Sequence, residues 1–300
     1  AFPLLQQAVQ ELKKSFPDYP IVTRGGVESP SQALCLKEYG TDLIMLSEGY
    51  VKTGPGLPKR IHERLLYEKE IHSSSQSWHW SFLFGLAILI GGLIAQYFAL
   101  TTVILNYDEN FIGLTHQQLN LINPQILAFM AHDRMSLAGT MISASILYMS
   151  LAYFGIRRQL HWAKVTFHSA AITGFLGILF IGYGYFDWLH GLFWLLLLPL
   201  YALSWRESKT ANRSPQSWHD TNDRIWMRGV YGQLLFVMLG FLLLAGGVVI
   251  SFIGITKVFV STDISFLCMP VEMLQSISDM LIPVIAHDRA GFGSALISVG

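Results

Sequence analysis

Between Ser81 and Leu105 the chain passes through 25 residues without a charged side chain. A run of that length and apolarity meets the requirement for a bilayer-spanning helix, about 20 predominantly apolar residues. Comparable runs follow. Met135 to Ile156 predicts a second span, Val165 to Phe186 a third, Trp188 to Trp205 a shorter fourth and Val230 to Ile255 a fifth. Ala290 to Gly300 begins a sixth. Trp78, Trp80, Trp162, Trp188 and Trp205 stand at the predicted ends, where interfacial aromatics gather. Composition agrees: 52% of the 300 residues are hydrophobic and 13% are charged, against about 25% charged in an ordinary soluble domain. Twenty basic and twenty acidic side chains cancel. A soluble protein, a disordered chain and a nucleic-acid-binding protein are therefore not expected. Cys35 and Cys268 are the only cysteines, too few for a disulfide framework.

Lysine and arginine set the expected orientation. One side of the membrane receives Arg157, Arg158, Lys164, Arg206, Lys209, Arg213, Arg224 and Arg228; the other receives Arg134, Lys257 and Arg289. Basic loops stay in the cytoplasm. The expectation is an integral protein of the inner (plasma) membrane with its N-terminal domain in the cytoplasm.

The membrane part repeats itself at an offset of 155 residues without gaps. Gly85 matches Gly240, and Gly91-Gly92 matches Gly246-Gly247. Thr101, Val103, Asp108, Phe111 and Leu119 match Thr256, Val258, Asp263, Phe266 and Leu274. Ala131-His132-Asp133-Arg134 recurs unchanged as Ala286-His287-Asp288-Arg289. Four predicted spans separate the copies, so both face the same way, as in parallel-repeat transporters. Repeat 1 covers about 77–231 and repeat 2 about 232–300, the latter cut short. Ala1 at one end and Gly300 inside an apolar run read as the ends of a fragment. A completed second copy would add roughly 80 to 100 residues and bring the total to about eight helices.

In each copy a span is followed by an extracytoplasmic stretch, then His-Asp-Arg, then the next span. Thr115 and Gln118 have capping-box spacing, and Pro270 can open the matching helix. Leu119, Ile122, Ile126, Leu127 and Met130 predict an apolar face lying on the membrane. His132, Asp133, Arg134, His287, Asp288 and Arg289 allow three readings. They form polar helix starts, with aspartate at the positive end of the dipole and arginine in the headgroups; or an ion-paired clasp; or a site for a quinone, an ion or a proton. His168, Asp187 and His190 are further ionisable groups near predicted span ends. No spacing of histidine and cysteine resembles a metal site. The glycines of the first, third and fifth spans suit close helix packing.

Residues 1–72 have a different character. Leu4, Leu5, Ala8, Val9 and Leu12 recur at helical spacing. Pro20 to Arg24 reads as a short strand ended by Gly25-Gly26. Ser29-Pro30 is a helix start and Gly40 its stop. Asp42 to Leu46 is a second strand, and Pro58 to His72 a further helix after a loop from Ser47 to Gly56. Two strands joined through a helix should be parallel. Two such units cannot close a sheet, so they are the end of a (β/α)8 barrel or a piece of an open sheet. Gly25-Gly26 and Ser47-Glu48-Gly49 follow adjacent strands, where barrels bind phosphate with loop N–H groups; tight turns without a ligand are the alternative.

Thr23 to Ser29, Tyr39 to Leu43 and Thr53 to Ile61, at their mutual spacing, resemble the C-terminal end of dihydroorotate dehydrogenases. The resemblance covers about 60 residues and implies an FMN-containing TIM barrel that oxidises dihydroorotate to orotate in pyrimidine biosynthesis. It assigns the flavin phosphate to Gly25, Gly26, Ser47, Glu48 and Gly49. Ser47 and Glu48 stand where that family usually has an aromatic and a small residue. The family's base, flavin lysines and orotate-binding asparagines precede this stretch, so the fragment itself carries no catalytic residue and is not expected to turn over.

The expected fold is thus mixed: C-terminal βα units of a TIM barrel, then an α-helical polytopic membrane domain with a tandem parallel repeat. Two functions remain open. One is a membrane-tethered dihydroorotate dehydrogenase-like flavoprotein, with FMN as cofactor, quinone as acceptor, and the lipid bilayer and dihydroorotate as partners. The other is a transporter or sensor whose barrel has decayed or binds a ligand.

Overall fold

The structure, a computed structural model, describes residues 2–67, 78–175, 185, 188–207, 215 and 217–300. The later part of the third predicted span, Asp187, Lys209, Arg213 and the side chain of His190 lie outside the described residues. Two compact units are formed, one by residues 1–71 with 213–236, the other by 72–212 with 237–300.

The first unit contains α1 (Phe2–Ser15), β1 (Val22–Arg24), α2 (Pro30–Glu38), β2 (Leu43–Met45), α3 (Glu48–Thr53) and α4 (Gly56–Leu66). The strands are parallel, Val22 opposite Leu43 and Arg24 opposite Met45. Ser29 caps α2 by accepting from the Gln32 N–H, and Pro30 opens it. Gly40 ends it at φ +101°, a left-handed conformation natural to glycine. α3, inside the expected loop, is an addition to the predicted elements. The core gathers Val9, Ile21, Val27, Ala33, Leu36, Leu57 and Ile61. Of the predicted α1 stripe, Val9 is buried while Leu4 and Leu12 are exposed. Val22, Leu43 and Met45, on the outward face of the strand pair, are exposed as well. The sheet has two strands, so no TIM barrel is formed by the described residues.

Residues 213–236, expected in the membrane domain, group with this unit. The contacts are specific. Ser31 Oγ donates to Asp220 at 2.9 Å and Asn222 Nδ2 donates to the Thr53 carbonyl at 2.8 Å. Arg60 and Arg64 lie over the rings of Trp226 and Trp218.

The second unit contains α5 (Trp78–Leu100), α6 (Asn106–Ile112), α7 (His116–Ile122) and α8, which starts at Pro124. α8 runs regularly to Ser150, then through a π turn and a 3-10 turn to Arg158. α9 (His161–Phe175), α10 (Trp188–Glu207), α11 (Arg224–Thr256, of which the residues from 237 on belong to this unit), α12 (Ser261–Leu267), α13 (Val271–Ile277) and α14 (Leu281–Val299) follow. Three helices are long and apolar enough to cross a membrane: Trp78–Leu100, Pro124–Arg158 and Arg224–Thr256. α10 falls short, with an apolar stretch of Gly191–Arg206.

The repeat is carried into the backbone. α5 to α8 correspond in order to α11 to α14. Matched Val103 and Val258 take φ of 60° and 61°, and matched Gly113 and Cys268 take 76° and 50°. Asp108 accepts from the Leu105 N–H at 2.7 Å, and Asp263 accepts from the Val260 N–H at 2.8 Å. Asn123 donates across the copies to the Leu267 carbonyl at 2.8 Å. Ser278, its match, donates back to the carbonyl of Ile112, the match of Leu267, at 2.7 Å. This reciprocity is that of a pseudo-two-fold axis between the copies. α8 and α14 run the same way, since Arg134 meets Asp288 at one level and Tyr148 meets Ser298 further along both.

The sequence-based helix starts require correction. His132-Asp133-Arg134 lies nine residues into α8, and His287-Asp288-Arg289 lies well inside α14. Neither triplet is a helix start, so neither aspartate sits on an N-terminal dipole. The stretch before each triplet holds two short helices, α6 and α7 in the first copy and α12 and α13 in the second. Thr115 and Gln118 do form a capping box. Leu119, Ile126, Leu127 and Met130 are buried in a core shared with Leu267, Leu274, Leu281 and Ile285 of the second copy. Four of the five residues expected on a membrane-facing surface therefore bind the copies together, and only Ile122 is exposed.

Candidate functional site

The two triplets meet. Each arginine is held on two sides. Arg134 donates through Nη1 and Nη2 to the Asp108 carboxylate of its own copy, at 2.8 and 3.0 Å. Its Nε donates to Asp288 of the other copy at 2.8 Å. Arg289 repeats the pattern, Nη1 to Asp263 of its own copy at 2.5 Å and Nε to Asp133 of the other at 3.2 Å. Each arginine also donates to a backbone carbonyl, Val103 at 2.6 Å and Val258 at 2.5 Å. Those are the two valines at positive φ, a rare conformation for a β-branched residue. The arginine grips the carbonyl that the strained turn presents.

Asp108, Asp133 and Asp288 are buried. Buried carboxylates are tolerated when paired and hydrogen-bonded, and the planar guanidinium serves two carboxylates and a carbonyl at once. The crossed pairs, Asp133 with Arg289 and Arg134 with Asp288, have the geometry of a clasp between the copies. Placement of the arginines in lipid headgroups is overturned, because their side chains are 15% and 12% exposed and point into the cluster.

Two departures from symmetry mark one end. Tyr185 donates its hydroxyl to Asp108, and its ring stands edge-on to His287 at 5.0 Å between centroids. His132, the match of His287, is largely exposed, with Nδ1 3.2 Å from Asp133. Sequence reasoning singled out the triplets and missed Asp108, Asp263 and Tyr185 as their partners. Asp108 and Asp263 were marked by the repeat itself; Tyr185 carried no signal of its own.

His168 is buried in α9, with its ring 4.7 Å from Trp205 and 5.5 Å from Tyr201. Neither ring nitrogen has a hydrogen-bond partner among the described residues.

In the first unit Gly25 and Gly26 follow β1 at φ 79° and 72°. The Gly25 N–H donates to the Met45 carbonyl at 3.1 Å, extending the ladder. The two predicted loops are neighbours, since a Cβ on Gly25 would stand 3.2 Å from Ser47 Oγ. Ser47 precedes α3 without capping it through its side chain. Gly49 is buried, and a Cβ there would lie 1.7 Å from the Val27 carbonyl oxygen. Glu48 is exposed. Nearby, Lys52 pairs with Glu28 at 2.5 Å.

Fold and cluster together define a mostly helical chain built on a duplicated unit, with three helices long and apolar enough to cross a membrane among the described residues. No protein-family model, curated protein or solved structure matches the chain.

Proposed function

We propose that the chain is the flavin-phosphate end and membrane domain of a dihydroorotate dehydrogenase-like flavoprotein, oxidising dihydroorotate to orotate and passing electrons to quinone. The observation that carries this reading is the pairing of two parallel strands whose glycine-bearing ends, Gly25-Gly26 and Ser47-Glu48-Gly49, lie side by side. Their exposed apolar face, Val22, Leu43 and Met45, is what further barrel strands would cover. The residues suit an FMN phosphate: the first N–H groups of α3 lack helical partners, and the side chain of Ser47 leaves them open. FMN would supply the two-electron chemistry. This chain's part is to hold the phosphate with backbone N–H groups around Gly26 and Gly49, the exposed Glu48 turning its charge to solvent.

The protein lies in the inner membrane with this unit in the cytoplasm and the His-Asp-Arg clasp towards the other face. The charge count supports it: with Arg134 and Arg289 consumed by ion pairs, Lys257 is left as the exposed cation on that side. The test is the visible absorption spectrum of the full-length protein purified in mild detergent. Flavin bands near one equivalent per chain are expected; a well-folded protein without flavin overturns the reading. The second reading, a transporter or sensor with a ligand-binding barrel end, is favoured by the pseudo-two-fold pairing of the copies, a design that parallel-repeat transporters share. It is what a flavin-free protein would leave standing.

A further inference from the structure

In the first unit a buried charge lacks a partner. Arg60 of α4 is 1% exposed, and its Nε and Nη1 make no hydrogen bond among the described residues. Buried charges are ordinarily paired. The side chain runs back along α4 and brings Nη1 to 3.1 Å from where a Cβ on Gly56 would stand. The Trp226 ring lies against the guanidinium face, its centroid 5.0 Å from Cζ. Such stacking favours the face of the cation but offers nothing to the N–H groups at its edge. One turn on, Arg64 stands 4.1 Å over the Trp218 ring, and its buried Nε is unpartnered as well.

The nearby carboxylates are engaged elsewhere. Asp220 accepts from the N–H and the hydroxyl of Ser31. Asp223 accepts from the Trp226 N–H and lies 3.0 Å from His219 Nδ1. Glu63, the one acid of α4, meets neither Nε nor Nη1 of Arg60.

The unmet donors fix the chemistry of what binds. They belong to two guanidinium groups one helical turn apart. A carboxylate presents two oxygens in one plane and matches a single fork. A phosphate directs its oxygens to tetrahedral corners and can bridge both groups.

α11 points to the source of that phosphate. From Gly229 to Thr256 it carries no charged side chain, and it is long and apolar enough to cross a membrane. Trp226 precedes Val230 in this helix by four residues, about 6 Å. Lys59 Nζ donates to Gln233 at 2.8 Å, so α4 lies beside the first turns of the apolar run. That is the level of lipid headgroups, where indoles and basic side chains gather.

We propose that Arg60 and Arg64 bind the phosphate of an anionic membrane lipid, flanked by the indoles of Trp226 and Trp218. The inference goes beyond the proposed function; it depends on α11 crossing a bilayer and not on flavin.

The test counts lipids retained by the full-length protein in mild detergent by native mass spectrometry, with dioleoylphosphatidylglycerol or dioleoylphosphatidylcholine as the probe. One phosphatidylglycerol per chain is expected above the level of phosphatidylcholine, whose ammonium group is repelled by the arginines. Arg60→Met should weaken retention more than tenfold and Arg64→Gln about fivefold. Lys14→Met, at an exposed lysine of the same unit, should leave it unchanged. Thermal melting separates binding from packing. Without lipid, Arg60→Met should melt at or above the parent, since an unpaired buried charge is gone. Phosphatidylglycerol should raise the midpoint of the parent and not of the variant; an arginine that only packs would lower the midpoint equally with and without lipid. Should Arg60→Met not fold, Arg64→Gln and the lipid preference of the parent decide. Equal retention of the two lipids by the parent, or undiminished phosphatidylglycerol on the folded variants, overturns the proposal. So does an equal rise in midpoint with inorganic phosphate or FMN at the same concentration, which would assign the arginines to a soluble phosphate.

Discussion

Arg134 and Arg289 each satisfy two carboxylates and one carbonyl. Removing one of them strands buried charges, a change that typically costs about 3–5 kcal/mol. Arg289→Met should therefore lower the unfolding midpoint in detergent strongly. Asp133→Asn combined with Arg289→Met should cost less than the two single changes added together. His132→Ala, at a largely exposed ring, should stay within about 0.5 kcal/mol of the parent. Additive losses in the double-mutant cycle would show that the crossed pair is not coupled. In the first unit Asp42 accepts from the Ile21 N–H at 2.8 Å. That hydrogen bond, with Lys13 and Lys37 nearby, holds its carboxyl below the ordinary 3.8. A carboxyl lowered in the folded state adds stability that is fully present above the ordinary value and is lost as pH falls through the lowered one. Asp42→Asn should therefore flatten the acid limb of the melting curve below about pH 4, read by circular dichroism, and leave the neutral region nearly parallel to the parent.

At the scale of elements, the neighbouring glycines of α11 give a sharp contrast. A Cβ on Gly247 would stand 2.7 Å from the Gly293 carbonyl and 2.8 Å from Ile297 of α14, whereas one on Gly246 would meet nothing within 4 Å. Gly247→Val should separate α11 from α14 and destabilise the unit. Gly246→Ala should be neutral or slightly stabilising, since alanine is the better helix former. Equal effects would remove the close-packing assignment. The first copy gives the pair different neighbours: Gly91 faces Phe193 of α10 and Gly92 faces α8. The cross-copy bonds from Asn123 and Ser278 are equivalent in geometry. Asn123→Ala and Ser278→Ala should thus cost similar amounts, about 1 kcal/mol each, in the same unfolding assay.

At the scale of the molecule, topology can be read with the protein's own thiols. Cys268 is exposed at the end of α12, and Cys35 is partly buried in α2. In the proposed orientation a membrane-impermeant maleimide should label Cys268 in Cys35→Ala protein on intact cells. In Cys268→Ala protein no label should appear until the membrane is opened. The opposite pattern would invert the orientation. Much of the larger plan was legible beforehand. The parallel strand pair, the Ser29-Pro30 helix start, the Gly40 stop and the Thr115–Gln118 capping box follow from local chemistry that needs no distant partner. The register of the repeat was equally plain. The helix boundaries around the triplets were not, because a charged Asp-Arg step inside an apolar pattern reads as a boundary until its partners are known.

The sequence by itself therefore determined where the apolar runs fall, that they occur in two matched copies, and which short segments take strand or capped-helix form. Each of these depends on residues within a turn or two of one another, or on periodicity along one chain. Only the tertiary structure decided that the arginines cross between copies, that Asp108, Asp263 and Tyr185 complete the cluster, and that residues 213–236 join the first unit. The charges that pair with these buried groups come from 26 to more than 150 positions away, and nothing local encodes which of several aspartates will arrive there.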